Sequence, residues 1–174
     1  MVIQTNRLIV RPIEEDDWSG IRNIWIDFNA SEYVFYDNPK NTDPKDVKKR
    51  IATWAEVTRI SKDHMFFVAC LDGEVIGFTS MNRCGDGYEI GYGFLNSAHG
   101  KGYAKESLEA LLEYMSQLGI KKVLAGTAIK NTPSVNLLKR LGFELVETER
   151  IAFHKDAKGN DIFFEGGNFE KQLA

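Results

Sequence analysis

The chain has 174 residues, with 43% hydrophobic and 27% charged side chains, the balance of a folded domain rather than of a disordered or fibrous chain. Its 22 Lys and Arg against 25 Asp and Glu leave a net charge of −3, which argues against a broad nucleic-acid-binding face. The longest apolar run, "MFFVACL", is far shorter than the roughly 18 residues of a membrane span, and "MVIQTNRLIV" lacks the pattern of a secretory leader, so a cytoplasmic protein without membrane or nucleic-acid partners is expected.

Alternation in "RLIVRP", closed by Pro12, predicts a first strand over about 7–12. Asp16 or Asp17 can then cap a helix in which Trp18, Ile21, Ile24, Trp25 and Phe28 recur at helical intervals. "NASEYVFYDNPKNTD" breaks that periodicity, and Asp43-Pro44 opens a second helix reaching about Arg59. "HMFFVACL" and "VIGFTSMNR" read as strands around an Asp-Gly turn, which supplies the positive φ values of a two-residue hairpin. "GYEIGYGFL" continues the antiparallel meander.

A third helix carries Leu108, Leu111, Leu112, Met115 and Leu118 and stops at Gly119. The strand "KKVLAGTAI" follows, reached through that helix and so expected to lie parallel to its predecessor after a right-handed crossover. "NTPSVNLLKRLGF" is a short helix ending at Gly142, and "FELVETERIAFH" with "DIFFEGGNFE" closes the chain as a hairpin. No repeat or linker divides the chain, so one domain over 1–174 is expected. Cys70 and Cys84 form neither a disulfide framework nor a metal spacing, and His64, His99 and His154 are scattered, so no metal site is expected.

The stretch "SAHGKGYAKESL" places Lys101 and Lys105 at a helix start, where the dipole favours anions instead. Gly100 and Gly102 would let a phosphate approach the backbone amides, an alternative to an ordinary glycine turn with solvated lysines. A Walker A loop is excluded by spacing, and a dinucleotide fingerprint by Lys105 in place of its third glycine.

Four segments in order, "TNRLIVRP", "GYEIGYGFLNSAHGKGYAKESL", "GTAIKNTPSVNLLKRLGFE" and the closing strand pair, resemble the GNAT N-acetyltransferases. The resemblance is nearest to their RimJ/RimL-type branch, which acetylates protein N-termini and assorted small amines. It implies an α+β GNAT (acyl-CoA N-acyltransferase) fold: a mixed, mostly antiparallel twisted sheet with one splayed parallel strand pair and about four flanking helices. Acetyl-CoA is then the co-substrate, its pyrophosphate held by the backbone amides of Gly100, Lys101, Gly102, Tyr103 and Ala104. Pantetheine would lie along Tyr92, Gly93, Phe94 and Leu95, with a backbone N–H there polarising the thioester carbonyl. Asn131 would hold the pantetheine or order the loop before its helix. His99 departs from the Arg or Gln usual at its position.

Acetyl transfer to an amine needs a base, a polarised carbonyl and a proton for the departing thiolate. Glu89, on the strand face otherwise bare through Gly91 and Gly93, is the candidate base, with Glu14, Glu15 and Asp37 as competitors and a plain surface carboxylate as the alternative. Many superfamily members place an acidic tyrosine where this chain has Leu138, whereas Ser134 matches the residue proposed as acid in the RimJ/RimL-type branch. The loop aromatics Tyr33, Phe35 and Tyr36 are candidate walls of an acceptor site or, alternatively, core anchors. The expected activity is acetyl transfer to a primary amine, on a peptide N-terminus such as that of a ribosomal protein or on a small molecule. The resemblance also allows a homodimer. A non-catalytic acyl-CoA-binding regulatory module is the alternative that Leu138 and His99 raise.

Overall fold

The computed structural model describes residues 1–174. A strand not anticipated from sequence, β1 (Ile3–Gln4), pairs antiparallel with β2 (Ile9–Pro12). The second strand starts later than its alternating pattern suggests, because Arg7 and Leu8 belong to a tight turn. In that turn the Thr5 amide donates to the Leu8 carbonyl (2.9 Å) and the Leu8 amide to Thr5 Oγ1 (2.9 Å).

A 3-10 turn (Glu15–Asp17) leads into α1 (Trp18–Asn29). Asp17 stands at the N-cap position, but its carboxylate does not cap the helix. It accepts two bonds from the Arg11 guanidinium (2.8 and 2.9 Å) and one from the Glu14 amide (2.8 Å). After a second 3-10 turn (Glu32–Tyr36), α2 (Pro44–Ile60) begins as expected, with Asp43 accepting from the amides of Lys45 and Asp46. The hairpin of β3 (His64–Leu71) and β4 (Glu74–Cys84) turns at Asp72 and Gly73, whose φ angles are 50° and 82°.

The remaining elements are β5 (Gly87–Phe94), α3 (Tyr103–Gln117), β6 (Lys122–Ala128), α4 (Thr132–Arg140), β7 (Glu144–Lys155) and β8 (Asp161–Gln172). All eight strands join one sheet in the order β1-β2-β3-β4-β5-β6-β8-β7, with β5 and β6 as its one parallel neighbour pair. Ile21, Ile24 and Trp25 of α1 and Val47 and Ile51 of α2 bury Val68 and Cys70 on one face. Leu108, Leu111, Leu112 and Met115 of α3, with Leu138 of α4, bury Tyr88, Ile90, Val123 and Phe169 on the other. Leu118 falls outside that stripe: it is the C-cap residue of α3 and 53% exposed.

The Arg11–Asp17 pair fixes the entry of α1 onto the sheet. Replacing Asp17 by Ala strands a half-buried guanidinium, and a loss of about 3 kcal/mol in unfolding free energy is expected by denaturant titration. Replacing both residues with apolar ones of similar size should recover most of that loss.

Candidate active site

The parallel pairing of β5 with β6 consists of Tyr88↔Val123 and Glu89↔Leu124. Beyond these, β5 stays with β4 as far as Gly77↔Phe94, and β6 stays with β8 as far as Ala128↔Gly166. The two strands therefore splay, with Glu89 at the vertex. The Leu95 amide donates to the Ile76 carbonyl (2.9 Å), so it is unavailable to a ligand. The alternation of an antiparallel ladder then turns the Gly93 amide towards β4 as well, and those of Tyr92 and Phe94 towards the splay. Gly77 is required beside them, because a Cβ there would stand 2.2 Å from the Phe94 ring.

At the α3 entrance, Gly100 and Gly102 adopt φ of 74° and 82°, the left-handed region that disfavours other residues. The amides of Gly100, Lys101, Gly102, Tyr103, Ala104 and Lys105 donate to no acceptor within the chain, and no atom lies within 4 Å of where a Gly100 Cβ would stand. A run of free amides at the positive end of a fifteen-residue helix suits a phosphate-bearing ligand. Of the two lysines at odds with the dipole, Lys105 pairs with Glu109, and the neighbouring Glu106 pairs with Arg7. Arg7 also donates to the Lys101 carbonyl (2.9 Å) and lies 4.5 Å over the Tyr103 ring. The His99 imidazole donates from Nε2 to the Phe94 carbonyl at the rim of the splay (3.2 Å).

Asn131 caps α4: its side-chain oxygen accepts from the Ser134 amide (3.3 Å). Ser134 is half-buried, and its hydroxyl lies 2.7 Å from that of Tyr92. Burial pushes the Tyr92 phenol above the ordinary tyrosine value, a rise that the Ser134 hydrogen bond partly offsets. Leu138 is a fully buried core residue, so that position serves packing.

Glu89 is exposed and shares a face with its register partner Asn82, on the side of the sheet that α1 and α2 cover further along. On that side the Glu32–Tyr36 turn reaches β7 and β8. Tyr36 packs edge-on to Phe164 (5.1 Å), Phe35 stacks on His154 (5.7 Å), and His154 donates to the Asp37 carbonyl (2.8 Å). Phe35 and Tyr36 line a cavity of about 620 Å³ together with Lys130, Glu149, Arg150 and Phe164. Tyr33 is not among the lining residues; burial and the adjacent Glu32 raise its phenol above the usual range. Among the competing acids, Asp37 is paired with Lys40 (2.8 Å).

Residues 7–144 match the family model described as an acetyltransferase (GNAT) domain. The chain belongs to the GNAT family of acetyltransferases. It is 26% identical over 170 residues to the uncharacterized N-acetyltransferase YnaD of Bacillus subtilis, an alignment covering 95% of this chain and 94% of that one. Among solved structures, the fold is similar to RimL, a ribosomal L7/L12 alpha-N-protein acetyltransferase in complex with coenzyme A (TM-score 0.83, 17% identity, 99% and 98% coverage). It is also similar to ribosomal-protein-S5-alanine acetyltransferase from Vibrio fischeri (TM-score 0.79, 18% identity, 99% and 96% coverage).

Sequence reasoning missed how the α3 entrance is braced. Thr5 and Arg7 looked like ordinary polar residues before a strand, yet the Thr5 hydroxyl, the Arg7 amide and Arg7 Nε all converge on the Glu106 carboxylate, each at 2.7 Å. Glu149 and Phe164 were also missed, because they reach the cavity only through a hairpin that extends past the end of β6.

Burial alone would raise the Glu106 carboxyl, but its bonds to Thr5 and Arg7 outweigh that and hold it below the usual glutamate value. A depressed folded pKa contributes stability above the ordinary glutamate pKa and loses it as pH falls through the lower folded value. Glu106→Gln should therefore flatten the acid limb of thermal stability in that window. Arg7→Ala, which loosens the cradle without touching β5, should weaken CoA binding about tenfold in calorimetry, equivalent to about 1.4 kcal/mol.

Proposed function

We propose that the protein is an acetyl-CoA-dependent N-acetyltransferase, acting in the cytoplasm as one catalytic unit over 1–174, that moves an acetyl group directly to a primary amine. The observation that carries this reading is the β5–β6 splay, with free amides at the α3 entrance beyond one end and Glu89 at its vertex. The donor chemistry there suits acetyl-CoA, which supplies an activated acetyl thioester when bound.

The amides of Gly100 through Ala104 hold the diphosphate, and those of Tyr92 or Phe94 donate to the thioester oxygen. Glu89 accepts a proton from the amine, through a water where the distance requires one. Ser134 faces the departing sulfur. Asn131 acts by fixing the start of α4 and hence the position of Ser134.

Phe35 and Tyr36 wall the acceptor entrance, where a cavity opens beside them. The acceptor is a peptide N-terminus or a small amine. The proteins of the two similar structures both act on ribosomal proteins, which supports the peptide and a RimJ/RimL-type reading of the chain. Glu147 and Glu149 on β7, neither in an ion pair with a Lys or Arg of the chain, suit the approach of a cationic amine.

Thiol release in the presence of acetyl-CoA and a panel of N-terminal peptides, polyamines and aminoglycosides tests the activity. CoA binding without turnover on any acceptor would sink the catalytic reading in favour of a regulatory acyl-CoA-binding module. With the acceptor found, Glu89→Gln should lower kcat/KM about 100-fold near neutral pH and remove the acid limb of its pH profile. An unchanged profile would exclude Glu89 as the base.

A further inference from the structure

The pair of hydroxyls joining β5 to α4 has no part in the reading above beyond Ser134 itself. Tyr92 Oη and Ser134 Oγ lie 2.7 Å apart, and neither side chain has another hydrogen-bond partner in the chain. Both residues are half-buried rather than sealed in the core, so ligand can reach them. Tyr92 lies on the α3–α4 face of β5, opposite to Glu89, and reaches across the splay to the first turn of α4.

Two hydroxyls carry two protons but share one hydrogen bond, so one proton stays free for an outside acceptor. A phenol partly withdrawn from water loses free energy when its O–H is left unpaired. The favoured arrangement therefore has Tyr92 donating to Ser134, which leaves the Ser134 proton directed into the splay.

A serine alone is a poor proton source, since an aliphatic hydroxyl does not ionise in the range of ordinary side-chain titration, whereas a phenol ionises near pH 10. Leu138 is buried in the core, so the α4 face offers no phenol there. We propose that Tyr92 is the proton source behind Ser134, the two hydroxyls forming a relay that delivers a proton to the departing CoA sulfur.

The S–H bond forms with the Ser134 proton as the carbon–sulfur bond breaks, and the Tyr92 proton moves onto Ser134 Oγ. The tyrosinate takes a proton back from solvent, matching the proton that leaves the amine through the base. Its raised affinity for a proton favours the neutral phenol between turnovers. Tyr92 acts through Ser134, so the inference rests on Ser134 as the group facing sulfur.

The test uses Tyr92→Phe, Ser134→Ala and the double variant in the full chain, each checked for thermal stability and CoA affinity. Without ligand, the ultraviolet titration difference between the wild type and Tyr92→Phe isolates the Tyr92 ionisation. Removing Ser134 should move that ionisation to higher pH, because the phenolate loses its one donor. With acetyl-CoA and an acceptor, Tyr92→Phe should lower kcat at least tenfold with KM for acetyl-CoA unchanged. The double variant should be no slower than Ser134→Ala, and the kcat proton inventory should change from bowed in the wild type to linear in Tyr92→Phe.

Wild-type kcat in Tyr92→Phe together with a slow Ser134→Ala would overturn the relay while leaving Ser134 in place. Wild-type kcat in Ser134→Ala would overturn both. A Tyr92 ionisation indifferent to Ser134, or additive losses in the double variant, would also end the proposal.

Discussion

Strands β5 and β6 share two residue pairs, and each then follows a different antiparallel partner. The sheet is in effect two twisted antiparallel blocks, β1 to β5 and β6-β8-β7, hinged at Tyr88↔Val123 and Glu89↔Leu124. Beyond the hinge each strand follows its own block, β5 held by β4 to Phe94 and β6 held by β8 to Ala128. The gap leaves backbone groups with no strand to pair with, and a polar group buried without a partner costs about 1–3 kcal/mol. Such an opening is stable when solvated or when filled by a ligand that carries its own donors and acceptors. The free amides at the α3 entrance and the hydroxyl pair at α4 both take their positions from this opening.

The order of elements was legible in the sequence because each signal was local. Asp43-Pro44, Asp72-Gly73, Gly119 and Gly142 mark turns or helix ends through their own backbone preferences, and the structure places each where that chemistry requires. The parallel pair followed from a helix lying between its strands. What stayed hidden depends on residues far apart in the chain. β1 exists because Thr5 and Leu8 close a turn that returns two residues to β2. Asp17 carried a cap signal, but an Arg11 six residues earlier won its carboxylate. Arg7 and Glu106 are separated by 99 positions, and no periodicity links them.

The α3 entrance shows how a fold can present a positive helix end without filling it. A carboxylate in the first turn is the ordinary complement to the dipole, and Glu106 occupies that turn. Its bonds, however, go to Thr5 and Arg7 on the neighbouring turn rather than to the free amides. Glu106 thus braces the cradle from behind, while Arg7 adds a cation beside Tyr103 and ties down the Lys101 carbonyl. The amides are left without a partner in the chain, while Lys105 is taken up by Glu109.

Alternation along β5 separates by face the groups proposed to handle protons. Glu89 belongs to the side on which α1, α2 and the Glu32–Tyr36 turn lie, whereas Tyr92 and Ser134 belong to the side of α3 and α4. In a closed sheet these groups could never act on one reaction, because the backbone would stand between them. The splay removes that wall over the few residues after the vertex, so an amine can arrive from one face while a thiol departs on the other. The proposed direct transfer fits this arrangement: each partner would keep its own approach, and the proton lost by the amine and the proton gained by the sulfur would be handled by different groups. The same separation keeps a carboxylate away from the hydroxyl pair, so that the phenol is not obliged to share its proton with a base before the acetyl group has moved.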